Sequence, residues 1–263
     1  MVKRDELIKT IHEIIGDDLL AKANQIDICA NGVQVHGDEE VSKIALGVSA
    51  NLDFFTEAVD SGAQFCLFHH GLHLTAKYIY NSRFDRSQQS QLKHVFTNNL
   101  TVAGYHYALD AHPEIGNNAT IIRELGAKRL DIPYMMEGWG WVAEFDKPKD
   151  VEELAEKCSD IFDHDIFAVY AGPKMVKRIG VVSGGGKPYG DMLHEIQDLD
   201  IDLHITGEIA ESGPAFAKEV GFNYFAAGHY ATEVFGVQEL GKKIKEHYGD
   251  KLDVEFIDIP NPL

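Results

Sequence analysis

The chain is short of cysteine, short of positive charge and without a long apolar run. Its three cysteines, Cys29, Cys66 and Cys158, lie far apart and form no CxxC pair. Neither a disulfide framework nor a thiolate zinc site is indicated, so a metal here would be held by nitrogen and oxygen. Lysine and arginine number 24 against 42 aspartates and glutamates, a net charge of −18. Phosphate backbones are gripped by basic patches, so strong nucleic-acid binding is not expected, although a phosphorylated substrate at a metal stays compatible with this charge. Such an acidic surface also fits a salty cytoplasm. No stretch approaches the roughly 20 apolar residues of a membrane span, and the amphipathic, acid-containing start MVKRDELIKTIHEIIGDD is unlike a signal peptide. A folded cytoplasmic protein is expected.

What is present is alternation. Strand-length apolar runs (SKIALGVS, AQFCLFHH, LTVAGYHY, GWVAEF, FAVYAG, RIGVVSG, DLHITGE, NYFAAGH and VEFIDI) are separated by segments of helical period. The helical segments are RDELIKTIHEIIG, LDFFTEAVDSG, SRFDRSQQSQLKHVFTNN, NNATIIRELG, DVEELAEKCSDIF, YGDMLHEIQDL and ATEVFGVQELGKKIKEHYG. That order is the pattern of an α/β fold rather than a bundle or sandwich. A β-α-β order recurs over residues 40–127 and 176–250, with a less regular middle, YMMEGWGWVAEFDKPKD. Two related α/β lobes are expected, residues 1–127 completed by the tail 240–263, and residues 128–239. No low-complexity stretch or Pro/Gly/Ser-rich linker marks a boundary between them.

Four strands end in polar, metal-competent groups, where open α/β sheets collect ligands. They are FHHG (His69, His70), GYHYALDAHPEIGNN (His106, Asp110, His112), HITGE (His204, Glu208) and AAGHYATE (His229, Glu233). Imidazole and carboxylate together are what divalent transition metals accept when thiolates are absent. His229 and Glu233 are four apart, so their side chains converge on one face if a helix starts at Tyr230 or Ala231. His106 and Asp110 share that spacing, but the proline and glycine that follow argue for a loop. A carboxylate can bridge two ions, so five or six ligands would serve a pair, whereas a single zinc needs only three. His204 lies inside an apolar strand and reads as a satisfied interior residue. His12, His36, His73, His94, His112, His164, His194 and His247 read as surface or packing residues. VVSGGGKPYGDML is a strand, three glycines and a helix, able to cradle an anion on Gly185, Gly186 and Lys187 or simply to turn tightly; it is not a P-loop. NGVQV reads as a turn, with Gln34 able to point its amide into a site.

Taken together, NGVQV, FHHG, HYALDAHPEIGNNA, ITGE, AAGHYATE and FIDIPNP resemble the NGG-interacting-factor-like family, whose members carry the label GTP cyclohydrolase 1 type 2. The resemblance runs from residue 31 to residue 262. It implies two similar three-layer α/β lobes with mixed sheets, a dinuclear metal site in the cleft between them, and a homohexamer, a ring built from dimers. Residue by residue it implies the metal ligands His69, His70, Asp110, His229 and Glu233, with Glu233 the bridge and His106 a further ligand or proton-handling group. The short span between residues 127 and 176 leaves no room for the extra domain some relatives carry, and Tyr230 stands where a second histidine is common.

Two divalent ions (zinc, manganese, iron, cobalt or nickel) would make hydrolysis the reaction class. The family label implies opening of the purine five-membered ring of GTP with formate release, His106 or Glu208 moving protons and the GGGK turn holding phosphate. A metal-dependent phosphoesterase would use the same ligands. A non-enzymatic metal-bearing scaffold that binds another protein is the reading from a different class.

Overall fold

A computed structural model describes residues 1–74, 83–135 and 138–261. Ser82 of the third expected helical segment, residues 136 and 137 of the irregular middle and Pro262 of the closing motif lie outside these residues. In chain order the strands are β1 (Val2–Lys3), β2 (Asn31–Val35), β3 (Glu40–Val41), β4 (Lys43–Ser49), β5 (Phe65–His70), β6 (Thr101–Tyr105), β7 (Lys128–Tyr134), β8 (Gly140–Asp150), β9 (Phe167–Val169), β10 (Met175–Val182), β11 (Leu203–Thr206), β12 (Asn223–Ala226) and β13 (Asp253–Phe256). The helices are α1 (Arg4–Ile15), α2 (Asp17–Ile26), α3 (Leu52–Asp60), α4 (Arg86–Thr97), α5 (His106–Ala111), α6 (Asn117–Leu125), α7 (Val151–Phe162), α8 (Asp191–Asp198), α9 (Gly213–Val220) and α10 (His229–Tyr248). The chain divides into two compact units, Met1–Leu109 with Gly236–Ile259, and Asp110–Phe235.

The first unit is built on a mixed sheet in the order β13-β4-β5-β6-β2, parallel except for the antiparallel edge strand β2. Strands β4 and β5 are continuous apolar runs because both faces are covered. On one face Ala45, Cys66, Phe68 and Val102 pack against Phe54, Phe55 and Ala58 of α3. Asn51 caps α3 by accepting from the Phe54 N–H at 2.8 Å, and Asp85 and Gln88 form a capping box on α4. Helix α1 buries Leu7, Ile11 and Ile15 at helical spacing and stops at Gly16, whose φ of +94° suits glycine.

The second unit holds a mixed sheet in the order β7-β8-β10-β11-β12-β9, parallel only between β10, β11 and β12. Alternate residues of β10 serve opposite faces. Ile179 and Val181 join α6 and α7 residues such as Ile121, Leu154 and Cys158. Val182 joins Tyr134, Met192, Phe222 and Tyr224 on the other face.

Every strand expected from the sequence is present. NGVQV, expected as a turn, is the strand β2; His106 and Tyr107, expected to end the strand LTVAGYHY, instead open the helix α5, and a turn follows it as the proline and glycine suggest. Helices α2 and α9 and the edge strand β7 had no counterpart in the pattern. Among the described residues no helix is long and apolar enough to cross a membrane.

Candidate metal centre

In the first unit β5 delivers His69, fully buried, and His70, half-buried, at its C-terminal end, and α5 opens with His106. The ring centroids are 4.6 Å apart for His69 and His70, 4.8 Å for His69 and His106, and 5.1 Å for His70 and His106. One ring nitrogen from each lies within 4.8 Å of the others. His70 Nδ1 shares a hydrogen bond with Ser49 Oγ at 3.1 Å, and His106 Nδ1 lies 2.8 Å from Asp27 Oδ2. Burial works to raise the Asp27 carboxyl, but hydrogen bonds from His106, Cys29 and Asn31 and the His106 charge outweigh it and hold the pKa at about 2. Gln34 does not serve a site. Its amide accepts from Leu72 N and donates to Leu72 O, both at 2.7 Å, and so clamps the segment that leaves His70.

In the second unit Asp110 is buried, and its Oδ1 accepts from Ser183 Oγ at 2.7 Å and Asn117 Nδ2 at 3.0 Å. Glu233, its side chain 3% exposed, offers a carboxylate oxygen within 4.8 Å of one from Asp110. His229 opens α10 one turn before Glu233, with Nε2 3.2 Å from Glu233 Oε1 and Nδ1 2.6 Å from Glu208 Oε1. Burial disfavours charge on His229, yet hydrogen bonds and attraction from Glu233 and Glu208 overcome it and push its pKa up to about 9. Opposed by burial, the Lys187 and His229 partners lower the Glu208 carboxyl. Gly184, at φ +59°, brings the backbone against this pair: a Cβ there would lie 2.1 Å from Glu233 Oε1 and 3.1 Å from His229 Nε2.

The expected residues thus fall into two sets. His69, His70 and His106 gather in the first unit, and Asp110, His229, Glu233 and Glu208 in the second. Gly185 is exposed, Gly186 O accepts from His204 Nε2, and Lys187 pairs with Glu208. His112 is structural, its Nδ1 accepting from Glu114 N at 3.1 Å and Ile115 N at 3.2 Å. His204 is the satisfied interior residue expected, bonded to Tyr134 and Gly186. The sequence reading missed Asp27, Ser49 and Ser183, polar residues in ordinary surroundings whose partners lie 79, 21 and 73 residues away, and Asn117, seven residues from Asp110. Donors of this kind fit a divalent metal: imidazoles in one set, imidazole with buried carboxylates in the other, and a glycine cradle that a Cβ would fill.

The fold and these sets define an α/β protein of two mixed sheets with metal-competent residues in each unit. Residues 3–262 match the Duf34/NIF3 (NGG1p interacting factor 3) family, and the chain belongs to it. It is 34% identical over 269 residues to a GTP cyclohydrolase 1 type 2 homolog of Haemophilus influenzae, covering 98% of each chain. A protein of the same name from Archaeoglobus fulgidus is 34% identical, over 94% of this chain and 96% of its own. Among solved structures, protein ybgI, described as of unknown function, matches over 100% of both chains at 33% identity with a TM-score of 0.87. TTHA1606 from Thermus thermophilus matches over 100% of both at 27% identity and 0.82.

Proposed function

We propose that the protein binds two divalent metal ions per chain through His69, His70, Asp110, His229 and Glu233 and hydrolyses a purine nucleotide, GTP first, releasing formate. What carries the metal reading is the donor chemistry of each unit: three clustered imidazoles in the first, and in the second His229 against the buried Glu233 beside Asp110. The names of the relatives supply GTP as the first substrate to test. Divalent ions so held supply Lewis acidity and lower the pKa of water. Ring opening adds one water at C8 to give a formamide, and a second water hydrolyses that to formate and an amine. Glu208 moves the proton, since its carboxylate is one-third exposed and already handles the hydrogen on His229 Nδ1. Gly185, Gly186 and Lys187 hold phosphate, which would draw Lys187 from Glu208. The same reading includes a cytoplasmic homohexamer.

Elemental analysis is expected to find about two ions per chain, and loss of both in His69→Ala/His229→Ala. Formate release from GTP, screened metal by metal, should fall at least about 100-fold in Glu233→Gln. A metal-replete protein that forms no formate from GTP with any of these metals would remove the cyclohydrolase reading and leave the metal reading standing.

A further inference from the structure

We propose that a cavity at the β12–β9 edge of the second unit's sheet takes the base of the nucleotide, and that the Asp165 carboxylate reads that base as guanine. This rests on the nucleotide reading above and deepens it, giving the base a place built from residues outside the proposed metal ligands.

Strands β11 and β12 run parallel and end at Thr206 and Ala226, the end of the strands at which open α/β sheets collect ligands. Strand β9 lies antiparallel to β12 and sets Phe167 opposite Ala226. These two residues, with His164, Asp165, Gly207, Glu208, Ile209 and Gly228, line a cavity of about 460 Å³, a size that suits a small molecule. Two of its walls are apolar side chains left in water, Phe167 at 41% and Ile209 at 51% exposed. A flat ring stacked on the phenyl group would cover that surface. Gly207 and Gly228 add no side chain, so backbone is open to the ring between the walls. The His164 ring is held by hydrogen bonds to Asp165 O and Ala227 O, both at 2.8 Å, and a Cβ on Gly228 would lie 2.8 Å from its Nε2. The cavity is therefore formed before any ligand arrives, which lowers the cost of binding. Its two carboxylates differ. Glu208 is engaged by Lys187 and His229, whereas the exposed Asp165 has no ion-pair partner among the described residues. A carboxylate only accepts hydrogen bonds. Guanine offers two donors side by side, N1–H and the N2 amino group, which two carboxylate oxygens accept together. Adenine places the acceptor N1 on the same edge and meets the carboxylate with repulsion. The C8 atom of guanine lies on the opposite edge of the base, so the edge that Asp165 reads is not the edge that reacts.

The test is equilibrium dialysis of GMP and AMP against the full chain stripped of metal by a chelator, so that no turnover intervenes. GMP should bind about 10- to 100-fold more tightly than AMP. Asp165→Asn should bring GMP to the level of AMP, and Phe167→Ala should weaken both by about 10-fold or more. Both residues are exposed, so circular dichroism should not change. If GTP is turned over, Asp165→Asn should raise its KM with kcat nearly unchanged. A preference for GMP that is lost in Asp165→Asn, in a protein that forms no formate from GTP, would sustain the base pocket and remove the cyclohydrolase reading alone. Formate release with the same KM in both variants would do the reverse. A parent that binds neither nucleotide, or GMP affinity indifferent to Phe167→Ala, would overturn the pocket, and a preference for GMP that survives in Asp165→Asn would overturn the role of that carboxylate.

Discussion

His204 lies wholly inside the second unit, where its Nε2–H donates to Gly186 O and its Nδ1 accepts from the Tyr134 hydroxyl, both at 2.8 Å. The rings of Phe222 and Tyr224 close over it. Burial keeps it neutral and pushes its pKa down to about 4 against the contrary effect of the Gly186 carbonyl. An unfolded histidine titrates near 6.5, so between about pH 6.5 and 4 the unfolded chain takes up a proton that the fold refuses. The stability this residue contributes is therefore complete above about pH 6.5 and declines as pH falls toward 4, by on the order of 3 kcal/mol in all. Urea midpoints from pH 7 to pH 4 should fall less steeply in His204→Phe than in the parent, although the variant is weaker at neutral pH. Equal slopes would show that the linked proton resides elsewhere. The interior role of His204 was legible because its strand is apolar on both sides. That of Asp27 was not, because its partner His106 is 79 residues away.

At the scale of elements, the exit from β5 is shaped by two glycines and one amide. A Cβ on Gly71 would lie 2.2 Å from Gln34 Oε1 and 3.2 Å from the Gly104 Cα of β6, and Gly104 is equally tight against Gly71. The segment after His70 thus runs close over β6 and is held there by Gln34 of β2. Gly71→Ala must displace an amide that makes two hydrogen bonds, at a cost of about 2–3 kcal/mol. Because the strain falls next to His70, metal affinity should drop along with the melting temperature. A variant that melts early but binds metal as the parent does would show that the clamp serves stability alone. Gln34 was noticed in the sequence as a polar residue between two valines, but its purpose was invisible without Leu72 opposite it.

For the whole molecule, metal binding is linked to folding. An ion at 100 times its Kd adds about 2.7 kcal/mol per site, or roughly 5–10 °C in melting temperature for units of this size. Zinc or cobalt should produce that rise and a chelator should reverse it, while magnesium should have little effect at an imidazole site. A melting temperature indifferent to all of these would argue against any ion bound to the native state. The sequence by itself determined the α/β class, the central strands and the longer helices, and it singled out the histidines and carboxylates of the candidate site, because apolar runs, helical period and residue chemistry are local properties. Tertiary structure alone decided that NGVQV is a strand, that HYALDA is a helix and that Asp27 meets His106. Edge strands and short helices take their form from their neighbours. The antiparallel register that sets Asn31 opposite Tyr105 brings the end of α2 beside the start of α5, a proximity that arises only when distant strands pair.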